Sequence, residues 1–137
     1  EGAPLIRYRT HDLTRIIPGD CACGMKHPRI DTLVGRTDDM FKVKGVNMFP
    51  AQVEEVIAAT SGTSSENQVM IEHIMGRDVL TVLFETSLEG DALQRCEEEL
   101  ALIFKAKIGC TPDAKGVPIG ELPRSEKKTQ RIFDSRY

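Results

Sequence analysis

A short run in the first half of the chain places strand, turn, strand and helix signals next to one another with almost no linker between them. Residues 40–44 alternate apolar and basic side chains, which is the period of a half-buried strand, and Gly45 tolerates the backbone angles of a tight reversal. Pro50 suits the first turn of a helix, and Val53 and Ile57 follow at helical spacing. The run therefore predicts a β-hairpin that turns at Gly45 and leads into a helix beginning near Pro50.

Composition is typical of a globular protein. The chain has 137 residues, of which 40% are hydrophobic and 28% charged, so it is one ordinary domain or a small domain plus a fragment. Its net charge of −3 argues against nucleic-acid binding, which normally requires a basic excess. No apolar run approaches membrane-spanning length and no signal-like start is present. We expect a soluble, cytoplasmic protein without nucleic-acid or membrane partners.

The first third of the chain has the pattern of several short strands. Residues 4–12 alternate in polarity, residues 13–17 continue as strand, and residues 29–34 form another strand. Because the first residues already resemble the middle of a strand, we expect the chain to be cut from a longer one. Strands without their parent sheet have unpaired edges, so residues 1–34 are expected to be mobile or exchanged between two copies as a homodimer or strand swap.

The remainder of the chain predicts an α+β fold. The first helix is expected to end near Thr60 and to be followed by a loop at 61–65 and two antiparallel strands at 68–74 and 79–85. The pattern then favours a long helix at 91–108, closed by Gly109, and a short strand at 117–120. The glutamates at 97–99 are interpreted as a solvated helix face. This order of elements indicates a small antiparallel sheet with helices packed on it.

Cys21, Cys23 and His27 form a candidate metal site. Two thiols at i and i+2 with a nearby imidazole offer ligands that zinc favours, but a closed tetrahedral site needs four. Cys96 and Cys110 are not placed convincingly by the sequence to complete the set. Reduced thiols and a surface histidine are the alternative interpretation.

Three motifs suggest a family. The residues Gly-Arg-Thr-Asp-Asp at 35–39 would, on pattern alone, be a solvated turn. Together with the hairpin and helix that follow, they resemble the hinge motif of the adenylate-forming superfamily, and Gly-Val-Asn-Met-Phe-Pro at 45–50 resembles its phenylacetate–CoA ligase branch. Tyr-Arg-Thr-His-Asp at 8–12 is similar to the superfamily's Tyr-Arg-Thr-Gly-Asp, and residues 121–131, which include Leu-Pro-Arg-Ser-Glu-Lys-Lys, resemble its terminal lysine motif.

The resemblance implies a role for each matching residue. Asp12 would accept hydrogen bonds from the ribose hydroxyls of ATP, a task for which a carboxylate offers two acceptor oxygens. Arg36 would contact the ribose or phosphate, and Asp38 would be the hinge. Gly45 would lie beside CoA, and Lys128 would be the catalytic lysine, with Lys127 at the motif's usual glycine.

The resemblance also implies a domain organisation and a reaction. Residues 1–37 would be the tail of a large N-terminal domain and residues 38–137 a mobile C-terminal domain. The full enzyme would use ATP, Mg²⁺ and CoA to convert a small carboxylic acid into a CoA thioester, in the manner of a phenylacetate ligase. Because the phosphate-binding loop and acyl pocket belong to the N-terminal domain, the chain alone is expected to be inactive. In some relatives the Cys-x-Cys region resembles part of a zinc site completed by the large domain, which places Cys21 and Cys23 among the candidate ligands.

Two other functions are compatible with the pattern. The nearer alternative is the C-terminal domain of an adenylate-forming enzyme with a different acid or acceptor, a question that only the missing domain decides. A stand-alone α+β ligand-binding module is the other alternative, but an RNA-binding sheet would need exposed aromatic residues and a basic surface, and this chain is acidic with only five Phe and two Tyr.

Overall fold

The structure, a computed structural model, describes residues 6–124 and 131–136 of the chain. It divides into two units, Glu1–Met40 and Phe41–Tyr137. Within the described residues there are two helices and ten strands. Neither of these helices combines the length and the apolar character needed to cross a membrane.

Four two-residue strands make up the regular structure of the first unit. They are β1 (Asp12–Leu13), β2 (Ile16–Ile17), β3 (Arg29–Ile30) and β4 (Gly35–Arg36). β1 pairs with β4 and β2 pairs with β3, both in antiparallel orientation. The first unit is thus built from two short ladders that lie between turns.

The long strands predicted for this unit are wrong in extent. Residues 6–11 are not strand, because the backbone takes positive φ angles of 55° at Arg7 and 65° at His11, which interrupt an extended chain. The strand predicted over 13–17 is broken between Leu13 and Ile16, and that over 29–34 is limited to its first two residues.

The hairpin and the helix after it are confirmed. β5 (Phe41–Val43) and β6 (Val46–Met48) pair antiparallel, and Lys44 and Gly45 form the turn with φ angles of 50° and 82°. Positive φ at both central residues is the requirement of a type I′ turn, and this turn matches the twist of the strands it joins. Helix α1 (Pro50–Ala59) begins at the predicted proline, and the amide of Phe49 donates to Oε1 of Gln52 at 3.0 Å.

A four-stranded sheet forms the centre of the second unit. Its strands are β7 (Thr63–Ile74), β8 (Arg77–Thr86), β9 (Asp113–Pro118) and β10 (Ile132–Asp134), in the order β10-β7-β8-β9. β7 and β8 are antiparallel, whereas β9 runs parallel to β8 and β10 runs parallel to β7.

The predicted α+β class with a small sheet and packed helices is confirmed, and its central pair, β7 and β8, is antiparallel as expected, whereas both outer pairings are parallel. Helix α2 (Gly90–Ile108) connects β8 to β9 and carries the chain back to the end of the sheet at which β8 begins. β9 therefore runs parallel to β8. The loop predicted at 61–65 is also wrong in part. β7 begins at Thr63, opposite Thr86, and contains an irregularity between Thr63 and Asn67.

One apolar layer joins the helices to the sheet. Register places Val69 opposite Val82 and Ile71 opposite Leu80, so these side chains share one face of the sheet. The face packs with buried residues of the hairpin, α1 and α2: Val43, Met48, Val53, Val56, Ile57, Cys96, Leu100 and Phe104. The predicted end of α2 is confirmed, since Gly109 adopts the left-handed conformation with φ 87° and donates to the Lys105 carbonyl at 3.0 Å.

Candidate functional site

Asp12 and Arg36, far apart in the sequence, lie directly opposite each other in the first unit. They are partners in the antiparallel register of β1 and β4. Directly opposite residues of a ladder project to the same side of the strands. Both candidate nucleotide-contacting residues are therefore presented together on one short ladder.

The Arg36 guanidinium is held by the acidic turn that follows it. Its Nε donates to Oδ1 of Asp38 at 2.9 Å and its Nη2 donates to Oδ2 at 2.6 Å, a two-point interaction that matches the planar fork of arginine. Asp39 lies farther away, with Oδ2 3.7 Å from Arg36 Nε. The hydrogen bonds from Arg36 lower the pKa of Asp38 to about 2, and Asp38 in turn raises the pKa of Arg36. The predicted nucleotide contact and the predicted hinge residue are thus one ion pair.

His11 occupies the position at which the similar motif has glycine. Its φ of 65° lies in the left-handed region that glycine adopts most easily. The turn is fixed across the ladder, because the Thr37 amide donates to the His11 carbonyl at 2.8 Å. The substitution of glycine by histidine therefore keeps the left-handed backbone at this turn, and Asp12 follows it directly.

Gly45 lies at the tip of the β5–β6 hairpin and has open space beside it. A Cβ atom built at this position would find no heavy atom of the described part of the chain within 4 Å. Lys42 and Asn47, the second pair from the tip, are exposed. A ligand can reach the Gly45 backbone directly.

Cys21 and Cys23 are brought together, but a complete metal site is not formed by the described residues. Their Sγ atoms are 2.9 Å apart, and the Gly24 amide closes the turn by donating to the Cys21 carbonyl at 2.9 Å. The hydrogen bond with Cys21, with a further contribution from the Met25 backbone, lowers the pKa of the Cys23 thiol. No group of three or more His, Cys, Asp or Glu side chains placed to hold a metal ion occurs within residues 6–124 and 131–136, so His27 does not complete the set there.

Lys127 and Lys128 lie in the segment 125–130, outside the described residues. The arginines on either side of that segment are described, and each contacts acidic side chains of the second unit. Arg124 contacts Glu66 and Glu85, and Arg131 contacts Glu54 and Glu66.

Glu66 and Glu85 are not identifiable as site residues from the motifs. Glu85 lies near the end of the apolar strand β8, and its burial becomes evident only in the structure. The available signal was the strand's own pattern, since a carboxylate that ends an otherwise apolar, central strand requires a partner. Glu97, interpreted as part of a solvated face, also has a structural role: its Oε1 accepts the Gly116 amide of β9 at 2.9 Å.

This arrangement defines a class of protein. A small α+β domain, entered through a Gly-Arg-Thr-Asp-Asp turn and a glycine hairpin and followed by an arginine-flanked lysine segment, has the layout of the C-terminal domains of adenylate-forming enzymes. The family model described as "AMP-binding enzyme C-terminal domain" matches residues 45–136, and the chain belongs to this family.

The chain is similar along almost its whole length to individual proteins that share one name. The chain is 40% identical to phenylacetate-coenzyme A ligase of Escherichia coli (strain K12) over 99% of this chain and 32% of that protein. It is 34% identical to the phenylacetate-coenzyme A ligase of Thermus thermophilus, again over 99% of this chain but only 35% of the relative. The chain therefore spans about a third of the length of the curated relatives it matches.

Two solved structures are similar to this one. The first, a domain of phenylacetate-coenzyme A ligase from Bacteroides vulgatus ATCC 8482, is 35% identical with a TM-score of 0.65, and the match covers 73% of this chain and 95% of that one. The second, 2-hydroxyisobutyryl-CoA ligase in the postadenylation state with an adenylate, is 27% identical with a TM-score of 0.80 over 97% of this chain and 29% of that one.

Proposed function

We propose that this chain is the C-terminal portion of an aryl-acid CoA ligase of the phenylacetate type. The observation that carries the proposal is the similarity, over 99% of the chain, to enzymes that bear that name. The large N-terminal domain of such an enzyme would supply the phosphate-binding loop and the acyl pocket. The chain alone is therefore expected to lack activity.

The reaction would proceed in two steps. The acid's carboxylate oxygen attacks the α-phosphorus of ATP, forming an acyl-adenylate and releasing pyrophosphate. The thiol of CoA then loses its proton and attacks the acyl carbon, and AMP leaves. Both steps require charge stabilisation and positioning more than covalent catalysis by the protein. Mg²⁺ would accompany ATP and neutralise its phosphate charge.

In this reaction Asp12 would accept hydrogen bonds from the ribose hydroxyls, and Arg36, opposite it, would contact the ribose or phosphate. The Arg36–Asp38 ion pair supports this proposal, in which the nucleotide contact would lie beside a hinge at the boundary between residues 1–37 and 38–137. After adenylation the C-terminal domain would rotate about Asp38. Gly45 would then lie beside the pantetheine arm of CoA, where the open space at the hairpin tip suits a close approach of backbone and ligand.

Lys128 would stabilise the negative charge that develops where the carboxylate meets the α-phosphate. One such donor is typically worth about 2.7–4 kcal/mol of transition-state stabilisation. In the full-length enzyme, Lys128→Ala should abolish most acyl-adenylate formation and leave thioester formation from supplied acyl-adenylate nearly intact. Asp38→Pro should do the reverse, because it restricts the hinge.

The two half-reactions must be measured separately, by pyrophosphate release and by CoA-dependent consumption of synthetic acyl-adenylate. Lys127→Ala is the matched control and should spare both steps. Equal slowing of both steps by Lys128→Ala, or the same defect in Lys127→Ala, would refute the assignment of Lys128.

A different acid substrate is the second candidate, favoured by the match of almost the whole chain to a 2-hydroxyisobutyryl-CoA ligase. Adenylation by the full-length enzyme, compared between phenylacetate and short hydroxy acids at equal concentration, decides between the two. A preference for a hydroxy acid would overturn the phenylacetate assignment and leave the ligase assignment in place.

Three further properties belong to this proposal. We propose a cytoplasmic location, because ATP and CoA, the substrates of such an enzyme, are cytoplasmic.

Cys21 and Cys23 would bind zinc only with ligands from outside the described residues. Elemental analysis should therefore find about one zinc per full-length chain and much less in this fragment. Exchange of residues 1–34 between two copies would appear as a dimer of the fragment in sedimentation analysis.

A further inference from the structure

Arg124 and Arg131, the two arginines that bracket residues 125–130, are joined through one carboxylate oxygen. Oε1 of Glu66 lies 3.4 Å from Nη1 of Arg124 and 3.7 Å from Nη2 of Arg131. Glu66 is on β7, at the irregular part of the strand between Thr63 and Asn67. A single side chain of the sheet therefore holds the residues before and after the segment close to each other.

The N-terminal side of the segment has a second attachment, to Glu85 in the core. Glu85 is fully buried at 0% exposure; its Oε2 accepts from Nη2 of Arg124 at 2.7 Å, and its Oε1 accepts from the Leu122 amide at 3.1 Å. Leu122 is itself 6% exposed. Because a buried charge is costly without a partner and an apolar residue would fill the same space, stability of the sheet alone does not explain a carboxylate here.

The C-terminal side is attached through both the side chain and the backbone of Arg131. Its Nη1 donates to the Ser65 carbonyl at 3.1 Å and to Glu54 of α1 at 3.4 Å. Its own carbonyl accepts the Val69 amide at 2.7 Å, and the next residue, Ile132, begins the parallel strand β10. Contacts on both sides of residues 125–130 thus converge on β7.

We propose that Glu66 and Glu85, through Arg124 and Arg131, are positioning residues for the lysine segment, and we call these four side chains the arginine anchor. The inference rests on the proposed function, in which Lys128 acts at the α-phosphate. Fixing both ends of a short segment restricts the volume that a lysine between them can sample, and small misplacements of a catalytic group cost large factors in rate. Glu66 is the residue that ties the two ends together.

The test is Glu66→Gln in the full-length enzyme. The substitution keeps the size of the side chain and removes the charge that two arginines share. Glu54→Gln is the matched control, because among the described residues Glu54 pairs only with Arg131, at 3.4 Å, and it is exposed. We expect Glu66→Gln to lower kcat of adenylation about ten- to a hundred-fold with little change in KM for the acid. Thioester formation from supplied acyl-adenylate should be unchanged, and Glu54→Gln should be close to wild type in both steps.

A double variant separates positioning from a general structural effect. If Glu66 acts through Lys128, adding Glu66→Gln to Lys128→Ala should slow adenylation no further, because the group being positioned is already absent. Full additivity in the double variant, equal slowing of both half-reactions, or wild-type adenylation in Glu66→Gln would each overturn the inference. Failure of the proposed function has a different signature, namely normal adenylation in Lys128→Ala alone.

Discussion

Replacement of Gly116 by alanine is a sharp test of the packing between α2 and the sheet. Gly116 is on β9, paired with Phe84 of β8. A Cβ atom at this position would lie 2.9 Å from Cγ2 of Thr86 and 3.4 Å from Cζ of Phe84, and it would also overlap Cδ1 of Leu93. The end of the leucine side chain can rotate away, but the threonine methyl cannot move as easily.

Thr86 is fixed because its hydroxyl makes two hydrogen bonds. Oγ1 donates to the Gly62 carbonyl at 2.6 Å and accepts the Leu88 amide at 3.1 Å. Rotation of the side chain would sacrifice both bonds, each worth about 0.5–1.5 kcal/mol. Retaining them leaves the new methyl group overpacked at a typical cost of about 1–3 kcal/mol. Loss of glycine's freedom in the unfolded chain returns about 0.4–1 kcal/mol, so we expect a net loss of about 1 kcal/mol.

Urea denaturation of the 137-residue chain, followed by far-UV circular dichroism, measures this loss. Thr86→Ser is the matched control, since it removes the obstructing methyl group and keeps the hydroxyl. In the double variant we expect a favourable coupling of about 1 kcal/mol, within the usual range for contacting residues. The packing argument is wrong if Gly116→Ala is within about 0.5 kcal/mol of wild type, the range of ordinary surface changes, or if the two substitutions are additive.

Two further predictions concern ionisation. Because Arg36 stabilises the charged form of Asp38, the carboxyl should titrate by NMR with a midpoint of about 2, and in Arg36→Gln the midpoint should move toward its ordinary value of 3.8. In the wild-type chain the ion pair contributes fully to stability above pH about 4, and this contribution is lost as the pH falls through 2. An unchanged midpoint in the variant would contradict this prediction. The Cys23 thiol is exposed and its pKa is lowered, whereas burial raises the pKa of the Cys96 and Cys110 thiols. Cys23 should therefore react with iodoacetamide well before the two buried thiols, as followed by mass spectrometry. Early labelling of either buried thiol would refute this prediction.

The elements that depend on neighbours in sequence were predictable. Gly45 and Pro50 specify a reversal and a helix start by their own backbone restrictions, and the apolar period of α2 with Gly109 after it specifies a long helix and its end. These signals act over a few residues, so they can be recognised in a single sequence. The structure contains the turn, the two helices and the helix end that they predict.

The pairings that depend on distant residues were not predictable. β10 is three residues long and has no distinctive period, and it is a strand only because β7 offers it an edge. The left-handed backbone of His11 likewise could not be predicted, because the hydrogen bond that holds this turn comes from the amide of Thr37, which is distant in the sequence. At the candidate site, motif resemblance predicts roles for Asp12 and Arg36, but their register and the burial of Glu85 required the three-dimensional structure.

The order of strands in the sheet has a consequence for how the chain folds. β7 and β8 meet across a turn at Met75 and Gly76, so they can pair within a local hairpin, which forms in about 1–10 μs in isolation. β9 and β10 must close much longer loops, and β10 follows every other described element in the chain. Until β10 docks, the outer edge of β7 keeps its backbone amides and carbonyls unpaired, which is the state in which strands associate with other molecules. Loss of residues 131–136 by truncation or slow synthesis should therefore favour aggregation at this edge more than it lowers helix content.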